Sequence, residues 1–255
     1  MDKSVPLRVE NIRVGYGGRE VLHNISADFR AGKITVITGP NGCGKSTLLK
    51  SVIGLIPIRE GCVYALDEDT KKLSAAQLAR RLAYLPQTRN IPDLTVMTLA
   101  LHGRFAHLGY PRRYRKEDIA AAEEALKITE LSALADEPLS RLSGGTQQRA
   151  FLAMALAQGT PVLLMDEPTT FLDLSFQIKL MKLCRKLADE GKAVVTVLHD
   201  LPAALKYADE IFVMSNGSFA AHGIPEDVYS SGILNEVFGT VIKRVDSADG
   251  AVYYF

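Results

Sequence analysis

The strongest constraint on the fold is an eight-residue glycine-rich segment, GPNGCGKS, at residues 39–46. An apolar run, ITVIT (34–38), precedes it, and the amphipathic pattern TLLKSVIGLI (47–56) follows it. This order predicts a strand, a loop and a helix that ends at Pro57. In that context the motif G-x-x-x-x-G-K-S binds nucleotide phosphates, because glycines let backbone N–H groups point at phosphate oxygens and the helix N-terminus adds partial positive charge.

This loop supplies most of the candidate ligands. We expect Lys45 to reach the β- and γ-phosphates and the Ser46 hydroxyl to bind Mg²⁺. Cys43 allows two interpretations: a thiol made reactive by nearby N–H groups, or a small residue that fills space. The residues expected to contact nucleotide here are Gly39, Pro40, Asn41, Gly42, Cys43, Gly44, Lys45, Ser46 and Thr47.

The rest of the chain alternates between strand and helix patterns. Residues 7–14 and 21–29 alternate as strands, and residues 93–158 are Ala/Leu-rich and helical in pattern. Residues 161–166 and 192–200 contain the largely apolar runs PVLLM and AVVTVL, as in strands buried on both faces. We therefore predict an α/β fold with a parallel sheet wrapped by helices and interrupted by a helical insertion.

Three local signals add detail to this pattern. Ser74 and Gln77 predict a capping box on a short helix that ends near Leu82, and Asn216-Gly217 predicts a hairpin turn. The third signal is a set of apolar residues at helical spacing between the two buried runs: Leu174, Ile178, Met181, Cys184, Leu187 and Ala188.

Composition excludes several classes of protein. Among 255 residues, 30 Lys and Arg balance 29 Asp and Glu, and this net charge of +1 gives no reason to expect nucleic acid. The basic residues of segment 112–116 form either a local patch or an ordinary solvated surface. The longest stretch without charged residues, 150–165, contains Gly159 and Pro161, so we expect no membrane span. With three cysteines in no metal or disulfide pattern and no apolar leader, we expect a cytoplasmic chain.

Acidic and imidazole side chains follow the two buried runs. Asp166 and Glu167 come at the end of VLLMDE, and adjacent side chains at a strand end point to different sides. We expect Asp166 to face Mg²⁺ and Glu167 to polarise the attacking water. His199 follows the second run, where it is either a γ-phosphate sensor or a structural histidine, and Gln87 is equally open.

One further segment, RLSGGTQQRAFLAMALA (141–157), completes a pattern. With GPNGCGKS, Gln87, VLLMDE, FLD (171–173) and His199, in this order and spacing, the chain resembles the nucleotide-binding subunits of ABC transporters over essentially its whole length. The resemblance implies that Tyr16 stacks on adenine, that Gln87 couples the lobes and contacts Mg²⁺, and that His199 is the switch histidine. It also implies that the signature segment Ser143, Gly144, Gly145 and Thr146 and the acid Asp173 contact ATP.

The resemblance also implies an architecture: a P-loop NTPase cassette with a RecA-like α/β core, an N-terminal antiparallel β portion and an inserted helical lobe. We place the core at residues 1–86 and 159–255 and the helical lobe at 87–158. For residues 226–255 we expect a small helix and a hairpin. Thr146 departs from the usual glutamine of the signature, which leaves the backbone N–H groups of that segment in their role.

In this family the signature acts on nucleotide held by another subunit, so the resemblance implies a head-to-tail homodimer with two ATP molecules at its interface. It further implies two multi-span membrane permease subunits, an external substrate-binding protein that acts indirectly, and a peripheral place on the cytoplasmic side of the bacterial inner membrane. The wording of several motifs is similar to that of importers of ferric siderophores, haem and cobalamin.

Two questions stay open at this stage, and a third interpretation is disfavoured. The stretch 88–110 and the following basic run form either part of a permease docking surface or an ordinary lobe surface. A non-transport ABC ATPase of cofactor (iron–sulfur) assembly is the alternative function. An ATP-binding regulator without hydrolysis is disfavoured, because both Glu167 and His199 are present.

Overall fold

The computed structural model describes residues 4–87, 90–247 and 250–254. Residues 88 and 89 of the expected docking stretch therefore lie outside the described residues. The strands are β1 (Leu7–Tyr16), β2 (Arg19–Phe29), β3 (Ile34–Thr38), β4 (Glu60–Ala65), β5 (Glu68–Asp69), β6 (Leu82–Leu85), β7 (Val162–Asp166), β8 (Ala193–Val197), β9 (Glu210–Ser215), β10 (Ser218–Gly223), β11 (Lys243–Ser247) and β12 (Gly250–Tyr254).

Two larger sheets carry the fold. The first has the order β2-β1-β4-β5 and is antiparallel, and the second has the order β10-β9-β3-β8-β7-β6. In the second sheet every neighbouring pair is parallel except β9 and β10. Every residue of β3, β7 and β8 is buried, because the sheet is covered on both faces. The carboxyl ends of these strands meet at one edge, which gathers the glycine-rich loop, Glu167 and His199.

The helices and the antiparallel sheet cover the two faces of the central sheet, which gives the fold three layers. They are α1 (Lys45–Val52), α2 (Ala75–Ala79), α3 (Val96–His102), α4 (Lys116–Ile128), α5 (Gly144–Ala157), α6 (Leu174–Asp189), α7 (Leu201–Tyr207), α8 (Pro225–Ser230) and α9 (Ile233–Phe238). One buried apolar cluster joins a face of the central sheet to α3–α7, and another joins the opposite face to α1 and the antiparallel sheet. The α/β architecture with an antiparallel N-terminal portion and a helical insertion is confirmed.

The helices α3, α4 and α5 pack on one another within the stretch assigned to the helical lobe. Their buried residues belong to the same apolar cluster as the central sheet, so no break in packing marks the lobe's limits. The boundaries at 86/87 and 158/159 stay a prediction. None of the helices in the described part of the chain is long and apolar enough to cross a membrane.

Some predicted boundaries were wrong. The first helix ends at Val52 and not at Pro57, because Gly54 adopts φ 76° and Leu55 N–H turns back to Lys50 O. The predicted capping box is present, with the Ser74 hydroxyl accepting from Gln77 N–H, but α2 ends at Ala79. The stretch 93–158, predicted to be helical, is not one continuous α-helical region, because the chain leaves α-helical conformation between α3 and α4.

The buried face of α6 also differs from the face that the apolar spacing predicts. Leu174 is 72% exposed and Ile178 is 40% exposed, whereas Phe176 and Leu180 are buried. After β10, the chain forms two short helices and a terminal hairpin in place of one small helix and a hairpin. Tyr229 of α8 stacks edge-on against Tyr253 of β12, which attaches the hairpin to the rest of the fold.

Candidate nucleotide-binding site

The glycine-rich loop connects the end of β3 to the start of α1. Gly44, with φ 111°, stands immediately before α1, in a conformation that L side chains rarely adopt. Gly39 lies against β9, where a Cβ atom would stand 2.2 Å from Met214 O. Glycine is therefore required at both positions, and the loop presents the N-terminus of α1 as an anion-binding end.

Lys45 places its charge inside this loop. Its side chain is buried, and Nζ donates hydrogen bonds to Gly39 O at 2.7 Å and Pro40 O at 2.9 Å. These two carbonyl oxygens hold the ammonium group of Lys45 within the loop. Phosphate oxygens carry more negative charge than carbonyl oxygens, so the same group is suited to bind them.

Asp166 ends β7 beside the first turn of α1. It is buried, and it accepts hydrogen bonds from the Ser46 hydroxyl at 3.1 Å and the Tyr84 hydroxyl at 3.4 Å. Burial raises the pKa of this carboxyl, and the Ser46 hydrogen bond offsets part of the shift. A carboxylate and a hydroxyl are oxygen donors of the kind Mg²⁺ accepts when substrate phosphates supply further ligands. Among the described residues no group of three or more His, Cys, Asp or Glu could hold a metal ion.

Glu167, the next residue, has a different partner from Asp166. Its side chain is largely buried and forms a short hydrogen bond with Nε2 of His199, which follows the neighbouring strand β8. The backbone of Glu167 has φ 51°, an uncommon conformation that costs roughly 1–2 kcal/mol outside glycine. Strain of this kind at a polar strand end is typical of functional residues.

Two cavities flank the loop. The smaller, about 250 Å³, brings Gln87 and Glu167 together with Lys45 and Ser46. The larger, about 750 Å³, has Tyr16 opposite Pro40–Cys43. Tyr16 is 51% exposed there, and an exposed aromatic ring is suited to stacking on a base. The structure thus gathers the residues predicted to bind adenine, phosphates and attacking water around one loop.

The signature segment begins α5 at a different place. Ser143 caps the helix by accepting from Thr146 N–H at 3.3 Å, and the two hydroxyls lie 2.9 Å apart. Thr146 therefore engages its own helix cap. Asp173 caps α6, where hydrogen bonds from the Ser175 hydroxyl and Phe176 N–H lower its pKa. Neither Ser143 nor Asp173 belongs to the residues described around the two loop cavities.

Burial distinguishes the two interpretations of Cys43. Its side chain is 6% exposed, and burial raises the pKa of the thiol despite the opposing charge of Lys45. A raised pKa lowers the thiolate fraction, and only the thiolate reacts with electrophiles. The structure favours the space-filling interpretation.

Sequence reasoning missed two polar side chains that support the acids. One is Tyr84, which contacts Asp166. The other is Gln148, a buried amide whose Nε2 donates to Pro168 O at 3.0 Å, next to Glu167. The signal for Gln148 was available, since a polar residue at a buried position of an Ala/Leu-rich helix requires a partner.

Comparison with known proteins gives the class that this fold and site define. A family model described as ABC transporter matches residues 22–170. The chain is 41% identical to the hemin import ATP-binding protein HmuV of Rhodococcus jostii (strain RHA1), over 95% of this chain and 83% of that protein. It is 39% identical to the ferric enterobactin transport ATP-binding protein FepC of Escherichia coli (strain K12), over 94% and 89%.

A solved structure extends the likeness to three dimensions. A dimeric bacterial ABC transporter cassette superimposes with a TM-score of 0.77 at 31% identity, covering 86% of this chain and 98% of that one. The chain belongs to the ABC transporter family. Within that family it is an ATP-binding subunit of an import system, an ATPase whose hydrolysis is coupled to transport.

Proposed function

We propose that this chain powers the import of a ferric siderophore or haem across a bacterial inner membrane. The observation that carries the proposal is the convergence of the loop, Asp166, Glu167 and His199 at one edge of the central sheet. Relatives whose names specify hemin and ferric enterobactin support the class of cargo. Cobalamin was also expected from motif wording, whereas the names of these relatives specify siderophores and haem and favour import over iron–sulfur assembly.

The described side chains divide the reaction between them. Lys45 and the loop N–H groups bind the phosphates, and Tyr16 stacks on adenine. Glu167 accepts a hydrogen bond from the attacking water, and His199 orients Glu167 and senses the γ-phosphate. Mg²⁺ would be held by Ser46, Asp166 and Gln87, where it would neutralise phosphate charge.

The position of Ser143 supports a dimer. The hydroxyl caps an exposed helix N-terminus, and Ser143 does not line either loop cavity, so it suits a phosphate bound by a second copy. We therefore place Ser143, Gly144, Gly145, Thr146 and Asp173 against nucleotide held by the partner subunit.

Glu167→Gln tests this site. We expect the variant to bind ATP–Mg²⁺ but to lose at least about 100-fold in hydrolysis, because the amide accepts a proton poorly. Light scattering should show an ATP-dependent dimer that Ser143→Arg in the same background abolishes. Ser132→Arg, at an exposed serine in the turn after α4, is the matched control and should leave the dimer intact. A Glu167→Gln protein that stays monomeric with ATP–Mg²⁺ contradicts the dimer.

The permease site is proposed in a groove between the end of α1 and α2. A cavity of about 620 Å³ there has apolar walls that include Ile53, Ile56 and Leu78. The stretch expected from sequence packs beside the groove, because Arg80, which follows α2, donates from Nε to Ala106 O at 2.7 Å. We propose that a cytoplasmic helix of each of two membrane permeases occupies it, at the inner membrane surface, and that an external binding protein delivers cargo to the permeases.

A further inference from the structure

The turn between β9 and β10 reaches the glycine-rich loop from a distant part of the chain. Asn216 and Gly217 form this two-residue turn with φ 46° and 76°, both in the left-handed region. Such turns match the twist of the strands they connect. Asn216 is exposed, but Gly217 is buried, so the turn packs against something besides its own hairpin.

Gly217 joins the turn to the loop. Its N–H donates to Cys43 O at 3.1 Å, in the middle of the predicted phosphate-binding segment. Met214, three residues earlier on β9, backs the same loop, with its carbonyl oxygen against Gly39 and its methyl group near Gly44. The hairpin therefore supports the loop at its beginning, middle and end.

The same residue also joins the turn to the antiparallel sheet. Gly217 O accepts from His23 N–H at 2.8 Å, and the Ser218 hydroxyl donates to His23 O at 3.2 Å. A Cβ atom at Gly217 would lie 2.2 Å from Val21 O, so no other residue fits without separating the turn from β2. Asn216 and Gly217 also line the cavity that contains Tyr16.

We propose that Gly217 is a positioning residue of the nucleotide site: it fixes the Cys43 peptide between the hairpin and β2, so that the loop N–H groups and Tyr16 face one bound nucleotide. Gly217 contacts the nucleotide only through the loop. Gly39, Gly42 and Gly44 of the loop all have positive φ. Glycine loses more conformational entropy on ordering than other residues, so a hydrogen bond from outside the loop lowers the entropy lost on binding. This inference rests on the proposed nucleotide site.

The test compares two glycine-to-alanine variants. Gly217→Ala adds a methyl group against Val21 O, whereas Gly232→Ala, at nearly the same φ of 75°, adds one with nothing within 4 Å. Both incur a similar backbone cost, so Gly232→Ala controls for the effect of placing alanine at a positive φ. We expect Gly217→Ala to raise the Kd for ATP–Mg²⁺ at least about tenfold, a loss of ~1.4 kcal/mol, and Gly232→Ala to stay within about twofold of the unaltered protein.

The inference is overturned if Gly217→Ala binds as the unaltered protein does, or if Gly232→Ala weakens binding equally. Failure of the unaltered protein to bind ATP–Mg²⁺ would instead refute the proposed site. If Gly217→Ala does not fold, hydrogen exchange in the unaltered protein decides. ATP–Mg²⁺ should slow exchange in a peptide spanning 214–219 together with the loop, but leave 225–232 unchanged. Protection of the loop alone would overturn the inference.

Discussion

At the scale of single residues, the site keeps a carboxyl group in an environment that opposes its charge. Asp166 is buried with a raised pKa, so the folded state binds a proton more tightly than the unfolded chain does. Its ionised form therefore lowers stability at neutral pH, and this loss disappears as the pH falls through the folded-state pKa. The proposed Mg²⁺ site needs the ionised form and would account for retaining such a group.

Asp166→Asn should separate stability from activity. We expect the free energy of unfolding at pH 7 without nucleotide to rise by about 1 kcal/mol, or roughly 2–4 °C in Tm, and ATP hydrolysis with Mg²⁺ to be lost. The gain should shrink as the pH is lowered. Thermal melts at several pH values measure it, with the exposed Asp28→Asn as control, expected within about 0.5 kcal/mol. A variant less stable than the unaltered protein at pH 7 would contradict the burial argument.

At the scale of elements, the start of α5 is fitted to the loop that follows Glu167. A Cβ atom at Gly145 would stand 2.8 Å from Phe171 O, whereas one at Gly144 would meet only ordinary contacts at 3.9 Å. Two adjacent glycines of the same helix turn therefore have different constraints. The first is replaceable in the isolated chain, and the second sets how closely the signature helix approaches the Phe171 backbone.

Urea unfolding of two alanine variants checks this difference. Gly144→Ala should change the free energy of unfolding by less than about 1 kcal/mol, with gain favoured because alanine suits a helix better than glycine. Gly145→Ala should lower it by about 1–3 kcal/mol, the typical effect of overpacking. Equal effects of the two substitutions would show that the contact with Phe171 adds nothing to stability.

The elements were predictable from sequence where local pattern determines them, and less so where distant contacts do. Buried runs and helical spacing gave β3, β7, β8 and α6. The end of α1 was missed, because Ile53 and Ile56 continue the helical stripe while Gly54 turns the backbone. Leu174 looked like core but lies at the surface, since apolar spacing does not specify which neighbouring stripe faces the sheet.

In the candidate site, too, features set by local sequence were predictable and features set by distant contacts were not. Its glycine-rich loop and its acids were readable from motif and position alone. The support from Gly217 was not, because this residue is more than 170 positions from the loop it contacts. Only the strand order, which places β9 beside β3, brings the two together.

At the scale of the whole molecule, the proposed groove predicts a crosslink. A cysteine at Leu78, on the groove wall, should form a short-arm crosslink with the permease in the assembled transporter. A cysteine at Val241, which is exposed near the C-terminal hairpin, is the control and should form none. Tyr110→Cys, at a fully exposed position, tests the other expected surface. Reaction at position 110 without reaction at 78 would move the contact out of the groove.

The helix α5 connects the signature segment to the proposed permease groove. Its first residues carry the signature, and Gln158, which follows its last residue, lines the groove and donates to Leu82 O at 2.9 Å. Fourteen helical residues form a stiff rod about 21 Å long. A permease helix seated in the proposed groove would therefore contact the base of the same helix whose tip is proposed to meet the partner's nucleotide.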